Sequence, residues 1–109
     1  MSDVIYVNDN NFEVEVLQSK LPVLVDFSAV WCGPCQRQIP IMEKFASENL
    51  TRVKVCQIDV DEALIVTSKF SIKSVPSILL FNHGVKIDAK VGLVSLSALS
   101  NFLLEKVGA

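Results

Sequence analysis

The sequence contains one histidine, one tryptophan and three cysteines, and its positive and negative charges almost balance. Ten Lys and Arg residues against 12 Asp and Glu residues give a formal net charge of −2, without a basic cluster that could follow a phosphate backbone. The mean hydropathy is +0.43, but Asp26, Ser28, Asn82 or Gly84 interrupt the longest apolar stretches well before they reach the length of a membrane span. We therefore expect neither nucleic acid nor membrane among the partners.

The sequence has no repeats or low-complexity tracts, and we expect no targeting segment. The first residues, Met1-Ser2-Asp3, have neither the basic start nor the long apolar stretch of a secretory signal, so we expect a cytoplasmic protein. No glycine-rich fingerprint for a dinucleotide is present. With 109 residues, half of them apolar, the chain can bury a hydrophobic core without help from disulfides or metal, and we predict a single domain over residues 1–109.

Strand patterns and helical patterns alternate along the chain. Strands are predicted at residues 4–7, 22–29, 53–60, 77–82 and 85–91, and helices at about 8–19, 33–49, 61–70 and 95–107. The predicted helix caps are Asn8 or Asp9, Asp61 and Ser95, and the predicted hairpin turn is His83-Gly84. This order predicts an α/β fold in which a parallel and an antiparallel part form one sheet, with helices covering both faces.

The helix predicted at 33–49 follows a nearly continuous apolar strand. From their helical spacing, four residues of this helix are predicted to face the core: Ile39, Met42, Phe45 and Ala46. Pro40 lacks the amide hydrogen that a helix interior requires, so we expect a kink there within one continuous helix. The start of this helix lies at the carboxyl end of a central strand, which is where open α/β sheets place their chemistry.

Two thiols stand at that junction, in the run Trp31-Cys32-Gly33-Pro34-Cys35. Pro34 suits the first turn of a helix and Gly33 allows a tight turn, so Cys32 is predicted near the cap position, beside unpaired amides that favour a thiolate. Cys35, most of a turn further on, is carried towards the protein interior but can still reach Cys32. The pattern therefore predicts a redox pair in which Cys32 attacks and Cys35 resolves.

Two other interpretations of the cysteine pair are an inert structural disulfide and a zinc site. An inert structural disulfide is disfavoured by Gly-Pro between the thiols and by a reducing compartment. A closed zinc site takes four protein ligands, and the remaining candidates are Cys56 in a buried strand and His83 in a hairpin turn. We expect Cys56 to be a small core residue and His83 a turn residue, and we predict no metal site.

The cysteine motif belongs to a larger combination of segments. These are Val25-Asp26-Phe27, Trp31 to Cys35, Pro40, Val75-Pro76-Ser77 and Val91-Gly92. Together they resemble the thioredoxin family over nearly the whole chain, which implies a mixed five-stranded sheet flanked by four helices in the order βαβαβαββα. The resemblance also implies that Pro76 is cis and packs against the cysteines. The substrate groove that it implies is lined by Trp31, Gly33, Pro34, Val75, Pro76, Val91 and Gly92.

By the same resemblance, the expected activity is protein-disulfide reduction. Asp26, a polar residue at a core position on the same strand face as Leu24 and Ser28, is then predicted to be the general base for Cys35 rather than a capping carboxylate. Electrons would come from a thioredoxin reductase, to which NADPH and flavin belong, and pass to disulfide-containing target proteins. The chain itself would bind no cofactor, use only the Cys32–Cys35 pair, and act as a monomeric electron carrier.

Two residues depart from the family pattern, and two other functions stay open. Ser28 stands where many members have an aromatic residue, and Gln57 where many have a lysine. We predict that Asp26, without a cationic neighbour, has a pKa raised by burial. The alternatives are a binding module without turnover, against which the intact cysteines argue, and a disulfide oxidant or isomerase. Gly-Pro between the thiols, Asp26 and the lack of an export signal favour the reductant.

Overall fold

Five strands form one mixed sheet in the computed structural model, which describes residues 2–108. The strands are β1 (Ile5–Val7), β2 (Val23–Ser28), β3 (Lys54–Asp59), β4 (Ser77–Asn82) and β5 (Val85–Val91). Their spatial order is β1-β3-β2-β4-β5; β1, β3 and β2 run parallel, and β4 is antiparallel to both β2 and β5. The predicted junction of a parallel and an antiparallel part is confirmed, with β2 in the middle of the sheet.

Within residues 2–108, four helical elements flank the sheet, as the fold prediction requires. They are a π-helical segment (Glu13–Leu17), α1 (Gly33–Glu48), α2 (Leu64–Lys69) and α3 (Leu96–Val107). The helix α1 continues through Pro40, and α3 begins after Ser95, whose hydroxyl accepts a hydrogen bond of 3.2 Å from the amide of Ala98. None of the helices between residues 2 and 108 has the length and apolar character needed to cross a bilayer.

Each face of the sheet carries its own hydrophobic core. On one face α1 and α3 pack against Val4, Leu24, Val55, Ile78 and Leu80 through Met42, Phe45, Ala46, Leu99, Phe102 and Leu103. On the other face the π-helical segment and α2 contribute Val16 and Val66, and the strands contribute Val23, Val25, Phe27, Cys56, Ile58, Leu79 and Phe81. Alternation along β2 therefore assigns Asp26, like Leu24, to the face covered by α1.

The predicted cover of both sheet faces by helices does not extend to β5. Most of this edge strand is exposed, including 63% of Val85 and 71% of Val91. Its neighbour β4 is buried over five of its six residues, because helices cover both of its faces. The turn between them matches the prediction: His83 and Gly84 have φ values of 53° and 77°, as a two-residue hairpin turn with a matching twist requires.

The first helical element differs from the predicted α-helix in type and length. Only Glu13–Leu17 is regular, and it is closed by a bond from the amide of Gln18 to the carbonyl oxygen of Glu13, five residues earlier. The side chain of Asn8 caps the preceding turn by accepting bonds from the amides of Asn10 and Asn11. Three apolar residues in and before this segment are nonetheless buried, fully or in part: Phe12, Val16 and Leu17.

The prediction that Asp61 caps α2 is wrong. Asp61 lies before the helix, which begins at Leu64 after Ala63, a residue without a capping group. The carboxylate of Asp9, from the loop after β1, accepts bonds of 3.2 and 2.9 Å from the amides of Ile65 and Val66. A residue more than 50 positions away thus satisfies the first free amides of α2, a contact that no local pattern encodes.

We expect replacement of Asp9 by alanine to lower the free energy of unfolding by about 1 kcal/mol, the usual cost of a lost N-cap. Urea denaturation followed by circular dichroism measures this change. Glu62→Ala, which removes an exposed acid from the loop before α2, is the matched control for charge. Equal losses in the two variants would mean that Asp9 contributes only its charge, not its hydrogen bonds.

Candidate active site

The two cysteines of the motif lie at the first turn of α1, directly after the central strand. Cys32 has an extended backbone and occupies the cap position, and its Sγ accepts a bond of 3.2 Å from the amide of Cys35. The two residues form a disulfide, with their Cα atoms 5.2 Å apart. The predicted position of Cys32, beside the free amides at the positive end of the helix dipole, is confirmed.

Exposure differs between the two sulfur-bearing residues in the predicted direction. Cys32 retains 6% of its surface, whereas Cys35 has none. Both pack in a small apolar cluster with Ala29, against which Val60 and Val75 also lie. A partner disulfide can therefore reach only Cys32 without opening the fold.

Gly33 and Pro34 occupy the first two positions of α1, and both are exposed. Proline suits this turn because its missing amide hydrogen would have no helical partner. The φ of Gly33 lies outside the left-handed region, so the backbone at this position does not require glycine. An added Cβ there would have no atom of residues 2–108 within 4 Å beyond its chain neighbours and its own helix backbone. Gly33 therefore leaves open space beside the disulfide.

The segment Val75-Pro76 faces the disulfide from the loop before β4. The carbonyl oxygen of Val75 lies 3.7 Å from Sγ of Cys32, and the Val75-Pro76 peptide is cis, as the family resemblance implied. The carbonyl oxygen of Pro76 accepts a bond of 2.8 Å from the amide of Gly92. Gly92 has a φ of 93°, so at this position, unlike Gly33, the backbone favours glycine.

Trp31 projects into solvent beside Cys32. Its side chain is 71% exposed, and its indole Nε1 donates a bond of 2.9 Å to Oδ2 of Asp61. Asp61, which does not cap α2, thus has the indole as a partner for its carboxylate. No local sequence pattern indicates this pairing, since the two residues are 30 positions apart.

Two adjacent depressions lie along the segment that leads to Val75, and neither is lined by Cys32 or Cys35. The first, of about 230 Å³, is lined by Trp31, Val60, Asp61, Thr67, Ile72, Lys73, Ser74 and Val75. The second, of about 190 Å³, shares Ile72, Lys73 and Ser74 with the first and contains Val91. Of the predicted groove residues, Trp31 and Val75 line the first and Val91 the second. Gly33, Pro34, Pro76 and Gly92 line neither depression.

Asp26 is buried in β2 with 1% of its surface exposed. In register it lies opposite Gln57 of β3 and Ile78 of β4, so neither strand places a cation beside it. Within residues 2–108, neither carboxylate oxygen has a hydrogen-bond partner. Burial raises the pKa of Asp26 to about 7, in the direction that we predicted.

Gln38 is a buried residue near the site that the sequence predictions omit. It is completely buried, whereas Ile39, predicted to face the core, is only half-buried. The signal was present in the helical spacing, because Gln38 lies three residues after Cys35 and four before Met42 on the buried side of α1. Its carboxamide bonds to the backbone of Val94, in the loop after β5.

The remaining metal-binding candidates lie apart from the pair. Cys56 is buried in the core on the face opposite α1, where burial raises the pKa of its thiol to about 12, and His83 is exposed in the β4–β5 turn. No group of three or more His, Cys, Asp or Glu side chains in residues 2–108 is arranged to hold a metal ion.

Comparison with known proteins agrees with this geometry. Residues 3–105 match the thioredoxin family. The thioredoxin of Acidithiobacillus ferridurans is 43% identical over 104 residues, covering 94% of this chain and 96% of the relative. That of Rickettsia felis is 41% identical over 101 residues, covering 93% and 96%. That of Haemophilus influenzae is 35% identical over 107 residues, covering 98% and 100%.

Proposed function

Because the chain belongs to the thioredoxin family and is a thiol–disulfide reductase with a redox-active Cys32–Cys35 pair, we propose that Cys32 is its nucleophile and Cys35 its resolving thiol. The observation that carries this assignment is the difference in burial at the start of α1. Cys32 keeps some exposure and occupies the cap, while Cys35 is shielded. The thiolate is the reactive form, and the helix terminus favours it at Cys32.

The proposed reaction passes two electrons in two exchange steps. The Cys32 thiolate attacks one sulfur of a target disulfide, forming a mixed disulfide and releasing the other target sulfur as a thiolate. The Cys35 thiolate then attacks Sγ of Cys32, which breaks the mixed disulfide and releases the second target thiolate. The target takes up two protons and is reduced, and the protein is left with its Cys32–Cys35 disulfide.

Asp26 is the proposed proton acceptor for Cys35. Two observations support this role: it lies on the face of β2 that α1 covers, and its pKa is raised to about 7. A carboxyl group with that pKa is partly ionised near neutral pH, so it can take a proton from a thiol that solvent does not reach.

The proposed groove for the target chain runs past the disulfide. Its apolar surface comes from Trp31 and Val91, which are exposed, and from Val75, which is half-buried, while Pro76 and Gly92 supply its backbone frame. Gly33 and Pro34 leave the approach to Cys32 open and tune the relative stability of dithiol and disulfide. Extended, apolar target segments of many sequences suit such a surface.

We further propose the place of this chain in electron flow. A thioredoxin reductase would reduce the disulfide with electrons from NADPH through its own flavin, and the protein would carry them to its targets as a monomer in the cytoplasm. The thioredoxin relatives support this role, and a formal net charge of −2 fits a protein that binds neither nucleic acid nor anionic lipid.

The equilibrium between dithiol and disulfide in a glutathione buffer tests the direction of electron flow. Trp31 is the only tryptophan and neighbours Cys32, so its fluorescence reports the redox state. We expect a reduction potential more negative than that of the glutathione pool; each step of about 30 mV corresponds to about 1.4 kcal/mol for a two-electron couple.

A potential well above that of glutathione would instead identify an oxidant or isomerase. The control is Cys56→Ala, which removes the buried third thiol and should leave the potential unchanged. A shift in that variant would show that the fluorescence follows more than the Cys32–Cys35 pair.

A further inference from the structure

We propose that Gln38 is a positioning residue that holds the segment Gly92–Val94 as a wall of the target groove and so sets the affinity for protein disulfides. The inference rests on the proposed function, because it assigns a second element to the groove in which targets bind. It concerns recognition and leaves the exchange chemistry of Cys32 and Cys35 unchanged.

The carboxamide of Gln38 holds Val94 at two points. Its Nε2 donates to the carbonyl oxygen of Val94 at 2.9 Å, and its Oε1 accepts from the amide of Val94 at 2.8 Å. The same Nε2 also lies 3.5 Å from Sδ of Met42. Both backbone groups of a loop residue are thus bound to a side chain of α1, 56 positions earlier in the chain.

A second anchor fixes the other end of the segment. The amide of Gly92 donates to the carbonyl oxygen of Pro76 at 2.8 Å, and the carbonyl oxygen of the preceding Val75 lies 3.7 Å from Sγ of Cys32. Gly92–Val94 is therefore tied to α1 on one side and to the cis-proline loop on the other. Both of these elements also carry or border the disulfide.

The residues presented by this segment are apolar and exposed. Leu93, between the two anchors, is 47% exposed, and Val91, directly before them, is 71% exposed, while Val94 is buried. An exposed leucine on a backbone fixed at both ends can contact a target without the entropy loss of ordering a loop. The clamp thus presents a preformed apolar contact beside the disulfide.

The residue type at position 38 argues for positioning rather than core filling. The neighbours of Gln38 on the buried stripe of α1 are apolar, as Met42 and Phe45 show. A buried amide is costly unless its hydrogen bonds are satisfied, so a leucine or methionine would fill the same space at less cost. Unlike an apolar side chain, the carboxamide forms two hydrogen bonds that fix the backbone of Val94.

The test compares a protein disulfide with a small one. Pre-reduced wild type and Gln38→Met are mixed with excess insulin or excess glutathione disulfide, and Trp31 fluorescence gives the half-saturating concentration and the limiting rate. We expect Gln38→Met to raise the half-saturating insulin concentration about tenfold, or roughly 1.4 kcal/mol. The limiting rate, the rate with glutathione disulfide and the reduction potential should stay at wild-type values.

Val53→Ala is the matched control for stability, because it removes core volume on the same face of the sheet, just before β3 and outside the Gly92–Val94 segment. It should lower stability but leave the half-saturating insulin concentration unchanged. Hydrogen exchange at the amide of Val94 should accelerate in Gln38→Met and not in this control. Equal effects of Val53→Ala and Gln38→Met on insulin binding would overturn the proposal, since a general loss of stability would explain both.

An exposed-surface variant keeps the test decisive if Gln38→Met folds poorly. Leu93→Ala should raise the half-saturating insulin concentration about fivefold, and its effect should largely disappear in the Gln38→Met background, because both act through one segment. Unchanged insulin binding in Leu93→Ala would overturn the proposal. Slower reaction of Gln38→Met with glutathione disulfide would also overturn the proposal, because the substitution would then affect the exchange reaction of the cysteines and not target binding. A wild type inert to both disulfides would overturn the proposed function, and the inference with it.

Discussion

Replacing Cys35 by serine is expected to lower steady-state reduction of protein disulfides by roughly a thousandfold or more, as loss of an essential reacting group does in other enzymes. Activity is lost because the second exchange step cannot take place. Cys32 remains at the cap and still attacks the target, but no thiol is left to break the mixed disulfide. Position 35 is fully buried, so a thiol from solvent cannot take the place of the missing Cys35 thiol.

The measurement is nonreducing electrophoresis and mass spectrometry of Cys35→Ser after mixing with insulin. A covalent adduct through Cys32 should accumulate, whereas Cys32→Ser should form none. Cys56→Ala should turn over like wild type, because Cys56 lies in the core on the other face of the sheet. Full turnover of Cys35→Ser would contradict the role of Cys35, and activity of the Cys32→Ser, Cys35→Ser double variant in the cell would indicate a binding module.

Replacing Asp26 by asparagine is expected to stabilise the protein at alkaline pH by about 4 kcal/mol. The pKa of Asp26 is about 7 in the folded state against 3.8 for an ordinary aspartate, and each pH unit of difference corresponds to about 1.36 kcal/mol. Because the folded state holds the proton more tightly, wild-type stability should fall as pH rises from about 4 to 7 and stay low above that. An asparagine side chain does not ionise, so the variant should lack this fall.

Urea denaturation of both proteins between about pH 4 and about pH 9 measures the difference. Asp88→Asn is the control of opposite sign, since the Lys106 hydrogen bond lowers the pKa of Asp88 and its contribution should be lost as pH falls. Equal pH profiles of wild type and Asp26→Asn would contradict the raised pKa.

The same Asp26→Asn variant should slow resolution of the mixed disulfide by about a hundredfold, the lower range for a positioned general base. Stopped-flow measurement of Trp31 fluorescence with a pre-formed mixed disulfide isolates this step from the first attack. Since the variant is expected to be more stable than wild type, slow resolution could not be attributed to unfolding. An unchanged rate of resolution would remove Asp26 from the reaction.

Local chemistry in the sequence determined the order of the elements and the position of the redox pair. The nearly continuous apolar run of β2 predicted a strand covered on both faces, and Pro34 after it predicted the start of a helix. The positive-φ turn at His83-Gly84 could be predicted from the dipeptide. Each of these features depends on residues within one turn or one strand, so neighbouring residues are enough to specify them.

Only the tertiary structure decided the contacts that complete the site and cap α2. Asp9 caps a helix whose amides lie 56 and 57 positions away, Trp31 pairs with Asp61 across 30, and Gln38 holds Val94 across 56. Polar side chains of these types can equally bond to water or to their own backbone, so sequence spacing does not select the partner. The fold selects it by bringing the two groups within reach of each other, and at Gln38, which is completely buried, it also removes water as an alternative partner.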